Sequence, residues 1–281
     1  MQKTSQKAEL IRLLSSIREQ GEVLGFVPTM GALHQGHLSL VEKAFCECDK
    51  VVISIFVNPT QFDKKTDLEK YPRDLEKDAK LLEENFPEII IFSPDAGELY
   101  EGEIKSKHFD FGLISEAMEG KYRPGHFDGV GTVLELFFDI IKPEKAFFGE
   151  KDFQQLQIVK KLVEITGQPV EIIACPISRE KNGLAMSSRN QLLTKNQWEE
   201  AGFIYQTLQK TRTLFGTKNA TFVAEWARGE FAQNPHFELE YFEIADEETL
   251  KPTAEKKPGR KYRAFVAAKL GNVRLIDNLA L

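Results

Sequence analysis

Two histidines near the start of the chain, in the sequence His-Gln-Gly-His at residues 34–37, have the types and spacing to bind an anion. An apolar run at residues 23–27 precedes them and an amphipathic run at residues 38–45 follows. This order predicts a strand-to-helix turn, where backbone N–H groups lack helical partners and the helix dipole is positive. The imidazoles could donate N–H bonds to phosphate oxygens, and Gly36 would let the backbone approach the ligand closely.

Two better-known phosphate loops do not account for this turn. Residues 31–38 have the glycine spacing of a P-loop, but His37 stands in place of its lysine and Leu38 in place of its Ser or Thr. The dinucleotide fingerprint is also missing, because Gly31 and Gly36 have the wrong separation. The turn therefore suits an anion without being either motif.

Two other interpretations of His34 and His37 stay open. One is a helix cap together with an ordinary surface imidazole. The other is a shared zinc ion, which ranks lowest because no nearby Cys, third His or His-Glu-x-x-His arrangement completes such a site.

Two later segments also carry donors that suit a nucleotide. Residues 149–152, Gly-Glu-Lys-Asp, follow an apolar run, and Lys151 is an unfavourable residue for the start of a helix. Residues 186–189, Met-Ser-Ser-Arg, lie in a glycine-preceded polar loop, which suits a flap that closes over a triphosphate and excludes water. The alternative for residues 149–152 is simply the first turn of a helix, and the alternative for residues 186–189 is an ordinary polar turn.

The chain resembles the pantothenate synthetase family, within the nucleotidyltransferase superfamily that also includes class I aminoacyl-tRNA synthetases. The resemblance rests on six strings, spread over most of residues 22–194, while the C-terminal third carries no comparable string. The strings are VPTMGALHQGH at 27–37, FVNPTQF at 56–62, YPR at 71–73, RPGHFDGV at 123–130, FGEKDFQQL at 148–156 and GLAMSSRN at 183–190.

The resemblance implies a ligase that condenses pantoate with β-alanine and uses ATP as a substrate. Pantoate would attack the α-phosphorus to give an acyl adenylate and pyrophosphate, and the amine of β-alanine would then displace AMP. The implied catalytic residues are His34, His37, Lys151 and Arg189. In the family the histidine at the position of His37 is commonly described as a proton donor. An electrophilic role is favoured here, because a carboxylate ionised at neutral pH needs no base.

The resemblance also implies which residues bind each substrate. ATP would contact Met30, Gly31, His34, Gly36, His37, Gly149, Glu150, Lys151, Asp152, Ser178, Met186, Ser187, Ser188 and Arg189. Pantoate would contact Pro28, Met30, Gln61 and Gln155, and β-alanine would contact Asn58, Gln61 and Tyr71. Glutamine amides suit a small hydroxy acid because they both donate and accept. The alternative for Gln154 and Gln155 is that both face solvent on a helix.

Mg²⁺ is expected because ATP is used as its magnesium complex. Asp78 matches a position that the family associates with the metal, but Lys77 breaks an acidic pair seen in some relatives, so no metal ligand is assigned. A homodimer is what the resemblance suggests.

Composition narrows the class of protein. The chain has 281 residues, 42% of them hydrophobic, and a formal net charge of −6, which argues against a nucleic-acid partner. Its apolar runs are far shorter than the about 20 residues of a membrane helix, and the N-terminus lacks a signal-peptide pattern. Three cysteines form no disulfide framework, so we expect a cytoplasmic protein without a membrane partner.

Alternating apolar and amphipathic runs predict an α/β fold, with a Rossmann-like parallel sheet and flanking helices, followed by a smaller α+β domain. The predicted strands are 23–27, 51–57, 89–92, 146–148 and 170–174, and the predicted helices are 1–20, 73–85, 131–141 and 152–166. Beyond a boundary near residue 176 come helices 195–213 and 221–233 and strands 238–244, 262–269 and 273–276. The proposed domains are residues 1–176 and 177–281, the second carrying the flap.

The residues alone do not exclude two other functions. Another nucleotidyltransferase, attaching AMP or CMP to a phosphorylated acceptor, would keep the histidine pair but would not need Gln61 and Gln155 together. A non-catalytic nucleotide-binding protein would bind ATP without turnover.

Overall fold

The computed structural model describes residues 1–62, 68, 69 and 71–281, and its first part is built on a parallel sheet. The sheet has six strands in the order β1-β4-β3-β2-β5-β6, and every paired neighbour runs parallel. The strands are β1 (Gln2–Thr4), β2 (Leu24–Thr29), β3 (Lys50–Ile55), β4 (Ile90–Phe92), β5 (Lys145–Gly149) and β6 (Glu171–Cys175).

Helices cover both faces of this sheet, because alternate strand residues point to opposite sides. The helices of this part are α1 (Lys7–Glu19), α2 (Gln35–Glu47), α3 (Leu75–Asn85), α4 (Ala96–Tyr100), α5 (Met118–Tyr122), α6 (His126–Ile141) and α7 (Phe153–Thr166). Phe26 and Val52 pack in one apolar cluster with α1, α6 and α7, while Val27 and Ile53 pack in another with α2 and α3. The result is a three-layer α/β/α arrangement.

The C-terminal part forms a separate three-stranded antiparallel sheet covered by two helices. These elements are α8 (Lys195–Phe215), α9 (Ala220–Gln233), β7 (Phe237–Asp246), β8 (Tyr262–Leu270) and β9 (Val273–Ala280), with strand order β7-β8-β9. Its helices and one sheet face share their own apolar cluster. Phe265 of β8 packs against Phe153 of α7, with ring centroids 6.0 Å apart, and so joins the two parts. The domain boundary near residue 176 stays a prediction.

The predicted α/β class and its strands and helices are confirmed, with ends that differ by a few residues. The predicted helix over residues 1–20 is wrong at its start, because Gln2–Thr4 is a strand and the helix begins at Lys7. That strand is three residues long and mostly polar, and it pairs with the apolar strand β4, so its conformation depends on a distant partner. The short helices α4 and α5 were not predicted.

The topology places a binding crevice beside the end of β2. This strand lies between β3 and β5, where the order of strands along the sheet reverses direction. Ligands of open parallel sheets bind outside the carboxyl ends of the strands at such a reversal. Among the residues described, no helix combines the length and apolar character needed to cross a membrane.

Gly129 on α6 lies so close to the backbone before Gln61 that an added methyl group has no room. An ideal Cβ at Gly129 would lie 2.5 Å from the carbonyl oxygen of Thr60. We therefore expect Gly129→Ala to lower the free energy of unfolding by about 1–3 kcal/mol through overpacking, as measured by urea denaturation. Gly229→Ala on α9 is the matched control, because a Cβ there meets nothing within 4 Å. It should raise stability by up to about 1 kcal/mol, and equal effects of the two changes would contradict the expectation.

Candidate active site

The turn after β2 is fastened by a carboxylate from α3. The Asp78 side chain accepts hydrogen bonds from the backbone N–H groups of Ala32 (2.8 Å) and Leu33 (2.7 Å). Gly31 and Ala32 have positive φ angles of 81° and 50°, so the chain bends sharply here. Burial raises the pKa of Asp78, and the two N–H donors oppose that shift. Asp78 therefore holds the turn, a role that was not expected from the sequence, where this position was only associated with a metal in the family.

His34 and His37 cap the start of α2 with their ring nitrogens. Nδ1 of His34 accepts from the N–H of Gly36 at 3.1 Å, and Nδ1 of His37 accepts from the N–H of His34 at 3.3 Å. Because each Nδ1 accepts, the proton of each neutral ring must be on Nε2. Each imidazole thus fills the helix-cap role that was one alternative and keeps an Nε2–H free to serve as a donor.

Both imidazoles are held in the neutral form. The pKa of His34 is lowered to about 4 and that of His37 to about 3, and burial is the largest cause of both shifts. The neighbouring His34 ring, 4.1 Å away between centroids, contributes to the shift at His37, and the positive charge of Lys151 contributes to both. The pair therefore offers two uncharged N–H donors at neutral pH.

Gly36 is required for the packing of this pair. A Cβ on Gly36 would lie 2.9 Å from Cε1 of His34 and 3.3 Å from Cβ of Met186. Sequence reasoning expected the glycine to admit a ligand to the backbone. In the structure it also makes room for the His34 ring and for the flap.

The segment after β5 brings a lysine to the same crevice. Lys151 lies in a short 3-10 helix, Glu150–Asp152, and its side chain is 17% exposed, with Nζ 3.6 Å from a carboxylate oxygen of Asp152. Asn278 of β9 donates from Nδ2 to the carbonyl oxygens of Glu150 (2.9 Å) and Lys151 (2.8 Å). The lysine loop is therefore tied to the C-terminal sheet.

The flap at residues 186–189 is tied to the first turns of α2 through Ser178. The N–H of Met186 donates to the carbonyl oxygen of Ser178, whose hydroxyl lies 2.8 Å from that of Ser39 on α2. The Ser187 hydroxyl accepts from the N–H of Arg189 at 3.3 Å, which fixes the turn inside the flap.

A cavity of about 290 Å³ joins these groups. The predicted site residues that line it are Pro28, Met30, His34, Gly36, His37, Asn58, Gln61, Tyr71, Gly149, Lys151, Asp152, Gln155, Ser178, Met186, Ser187, Ser188 and Arg189. Gly31 and Glu150, both in the described part of the chain, do not line it. Gly31 bends the turn, and the Glu150 carboxylate lies 3.2 Å from a guanidinium nitrogen of Arg263.

The side chains of His126 and Arg123 hold the backbone of Gln61 beside the cavity. Its carbonyl oxygen accepts from Nδ1 of His126 at 2.9 Å and from Nη2 of Arg123 at 3.3 Å. Because Nδ1 of His126 donates, its Nε2 can accept, and it lies 3.1 Å from Nη1 of Arg123. Burial lowers the pKa of His126 to about 4, so this ring is also neutral. These contacts fix the backbone from which the Gln61 amide projects.

Asn58 has a more structural environment than its predicted contact with an amine substrate requires. Its side chain is 1% exposed, with Oδ1 accepting from the hydroxyls of Thr60 and Tyr100 and Nδ2 donating to the carbonyl oxygen of Gly129 at 3.0 Å. Nδ2 also lies 3.4 Å from Oε1 of Gln61. In this geometry Asn58 orients Gln61, and its contact with substrate stays a prediction.

The two glutamines at the start of α7 differ in environment. Gln154 is 4% exposed, and its amide bonds to the backbone at Ile114, Ala117 and Glu119. Gln155 is half-buried and lines the cavity. The alternative in which both glutamines face solvent is therefore wrong.

Several polar residues of the cavity were missed by sequence reasoning. Arg123 and His126 lie in a string that carried the family resemblance, but no role was assigned to them. Asp277 and Asn278 lie in the C-terminal strand β9, where no motif marked them. Only the folded chain brings Arg123 and His126 to Gln61 and Asn278 to the lysine loop.

Among the described residues, no group of three or more His, Cys, Asp and Glu side chains is arranged to hold a metal ion. Of the carboxylates that line the cavity, Glu119 and Asp277 bind the guanidinium groups of Arg274 and Arg179. The Asp152 side chain is 49% exposed.

Two relatives are similar to the chain over nearly its whole length. A pantothenate synthetase from Christiangramia forsetii is 55% identical over 281 residues, covering 100% of this chain and 99% of that protein. One from Thermotoga neapolitana is 44% identical over 275 residues, covering 97% of each.

Two solved structures are similar along nearly the whole chain. A pantothenate synthetase from Thermus thermophilus has a TM-score of 0.91 and 40% identity, covering 99% of each chain. A pantoate–β-alanine ligase from Francisella tularensis, complexed with β-γ ATP and β-alanine, has a TM-score of 0.81 and 33% identity, covering 100% of this chain and 97% of that one. The profile of the pantoate–β-alanine ligase family matches residues 2–280. The chain therefore belongs to the pantoate–β-alanine ligase family.

Proposed function

We propose that this protein condenses pantoate with β-alanine, at the expense of ATP, to give pantothenate, AMP and pyrophosphate. The observation that carries the proposal is one cavity that is lined by a neutral histidine pair, a lysine, a serine-arginine flap and two glutamine side chains. The charged and donor groups suit a triphosphate, and the glutamines suit a small hydroxy acid. A pantoyl adenylate would form in this shared cavity.

ATP binds with its phosphates against the start of α2. The Nε2–H groups of His34 and His37 donate to phosphate oxygens, and Lys151 and Arg189 supply positive charge. Flap residues Ser187 and Ser188 add hydroxyl donors. The N-terminal end of α2 adds the positive end of its dipole.

In the first half-reaction a carboxylate oxygen of pantoate attacks the α-phosphorus, a P–O bond forms, and the bond to pyrophosphate breaks. Neither event requires a general base, because the carboxylate is ionised at neutral pH. The low pKa of His37, about 3, supports hydrogen-bond donation to the α-phosphoryl oxygens over transfer of a proton. This is the electrophilic role that the sequence favoured.

In the second half-reaction the free amine of β-alanine attacks the acyl carbon. An amide C–N bond forms, the acyl–phosphate C–O bond breaks, AMP leaves, and the nitrogen loses a proton. Gln61 and Tyr71 both line the cavity, and in this proposal Gln61 orients the acyl group and the incoming amine. Phe56 and Val133, which also line it, would give an apolar wall for the methyl groups of pantoate.

Mg²⁺ accompanies ATP in this proposal and neutralises phosphate charge. Asp152, half-exposed at the cavity, is the carboxylate best placed to reach a water of its hydration shell. We also propose a homodimer, in keeping with the family resemblance. A cytoplasmic location suits the free cysteines Cys46, Cys48 and Cys175.

Pyrophosphate exchange tests the proposed first half-reaction. We expect the exchange of labelled pyrophosphate into ATP to require pantoate but not β-alanine, since pantoyl adenylate forms reversibly. Adding β-alanine should then release AMP and pantothenate in equal amounts, as measured by chromatography. Exchange that does not depend on pantoate, or a stable nucleotidyl product with a phosphorylated acceptor, would indicate another nucleotidyltransferase activity instead.

His37 and Lys151 should each be important for adenylation. We expect His37→Ala and Lys151→Ala to lower the exchange rate by about 10²–10³-fold, because each removes a donor that would stabilise transition-state charge. The matched controls are His108→Ala, at an exposed histidine, and Lys161→Ala, at a partly exposed lysine that pairs with Glu164, and both should retain the wild-type rate. Wild-type exchange in the His37 and Lys151 variants would remove these residues from the catalytic set.

The neutral state of the histidine pair can be measured by an NMR titration of the ring protons. At about pH 6, below the usual histidine pKa of about 6.5, His34 and His37 should remain unprotonated, because their pKa values are lowered to about 4 and about 3. His108 is the internal contrast, since its hydrogen bond to Asp128 raises its pKa. Protonation of all three rings over the same pH range would contradict the assigned neutral donors.

A further inference from the structure

The C-terminal strand β9 presents two adjacent polar side chains to the two halves of the nucleotide site. Asp277 and Asn278 are 3% and 2% exposed, and both line the cavity. Successive strand residues point to opposite faces of a sheet, so the two side chains reach different neighbours.

Asn278 faces the lysine loop. Its Nδ2 donates to the carbonyl oxygens of Glu150 and Lys151, while its Oδ1 accepts from Nη1 of Arg263 at 2.6 Å. The same guanidinium stacks over the ring of Phe153, 3.9 Å from its centroid, and reaches the Glu150 carboxylate. All hydrogen-bonding groups of the Asn278 amide therefore have partners, and two of those partners are backbone atoms of the loop that carries Lys151.

Asp277 faces the base of the flap. Its carboxylate accepts from both terminal nitrogens of Arg179, at 2.6 Å and 3.0 Å. Arg179 also donates to the carbonyl oxygen of Gly183 at 3.0 Å and stacks on Tyr205, 3.9 Å from the ring centroid. An isolated β-bridge pairs Arg179 with Ala185, the residue that precedes the flap.

The two side chains are joined to each other through the strand backbone. The N–H of Asn278 donates to Oδ1 of Asp277 at 2.7 Å, and the carbonyl oxygen of Asn278 accepts from Nη2 of Arg179 at 3.3 Å. A displacement of β9 would therefore move the lysine loop and the base of the flap together.

We propose that Asp277 and Asn278 are positioning residues that use opposite faces of β9 to hold Lys151 and the flap in register around the triphosphate. This inference rests on the proposed function of the cavity. It gives the C-terminal sheet a role in the adenylation step, which no sequence motif indicates. Neither side chain needs to touch a reacting atom.

The test uses the full-length enzyme and two changes at Asn278. Asn278→Asp keeps the volume and the acceptor for Arg263 but removes the two N–H donors to the lysine loop. Asn278→Ala removes the whole amide. We expect each change to lower pantoate-dependent pyrophosphate exchange by about tenfold or more, because two buried hydrogen bonds are lost. Reaction of supplied pantoyl adenylate with β-alanine should change by less than about twofold, because that step does not use the triphosphate.

A neighbouring core change separates positioning from a general loss of stability. Leu275→Ala on the same strand removes a buried side chain from the C-terminal cluster without touching either loop. It should lower the Tm yet leave both half-reactions at the wild-type rate. If the Asn278 variants weaken both half-reactions equally, or leave both unchanged, the positioning role is wrong.

A double-mutant cycle then asks whether Asn278 acts through Lys151. Calorimetric binding of ATP alone gives the affinities of wild type, Asn278→Ala, Lys151→Ala and the double variant. We expect Asn278→Ala to weaken ATP binding about tenfold in wild type and less than about twofold when Lys151 is absent. Additive losses would overturn the inference. A wild-type enzyme without pantoate-dependent exchange would instead contradict the proposed function.

Should Asn278→Ala fail to fold, Asp277→Asn provides the second arm. It keeps the shape of the side chain and removes the charge that binds Arg179. We expect a higher KM for ATP and an unchanged KM for β-alanine, since only the flap side of the nucleotide site is loosened. Equal changes in the two KM values would contradict a role in positioning the flap.

Discussion

The candidate site depends on two backbone N–H groups that donate to imidazole nitrogens at the start of α2. Because Gly36 and His34 donate to Nδ1 atoms, the rings of His34 and His37 must carry their protons on Nε2. Burial makes the charged form costly, and the pKa values fall accordingly. A single local motif thus sets the orientation and the tautomer of both side chains, while burial sets their charge. Histidines without these contacts would sample both tautomers.

The arrangement of the histidine pair depends on the backbone turn that follows β2. The positive φ angles of Gly31 and Ala32 would leave backbone N–H groups buried without partners if Asp78 were not there to accept from them. Asp78 comes from α3, which packs on the same face of the sheet as α2. The geometry of the histidine pair therefore depends on the apolar packing of α2 and α3 on the sheet. A polar site of this kind can be held rigidly because the layer beneath it is apolar.

Much of the fold could be predicted because its elements have local signals. The strands are short apolar runs, and α1 buries Leu10, Leu14 and Ile17 at helical spacing, so periodicity alone marks them. The strand-to-helix position of the histidines followed from the same signals. The edge strand Gln2–Thr4 carries no such signal, since its residues are mostly polar and its partner β4 lies far away in sequence. Its conformation is decided by a tertiary contact.

The grouping of site residues could be predicted where chemistry is concentrated in short strings, but not where it depends on distant packing. The histidine pair, Lys151 and the flap line one cavity, while their roles stay predictions. The tautomer could not be predicted, because it is set by backbone geometry. Nor could the contact between Asn278 and the carbonyl oxygens of residues 150 and 151, which are 128 and 127 residues away in sequence.

Neutral donors suit a reaction in which negative charge moves without a net gain. During adenylation, charge shifts from the attacking carboxylate and the α-phosphoryl group toward the departing pyrophosphate, so the site must stabilise a redistribution. A buried imidazolium pair would bind the triphosphate strongly before reaction, and binding that is equal in the ground and transition states does not accelerate the chemical step. In the proposed reaction, two uncharged Nε2–H donors fixed in direction would instead respond to charge that develops on the phosphate oxygens. The cations Lys151 and Arg189 lie on separate segments, the first after β5 and the second in the flap. The positive charge of the site is therefore supplied by residues other than the histidines at the start of α2.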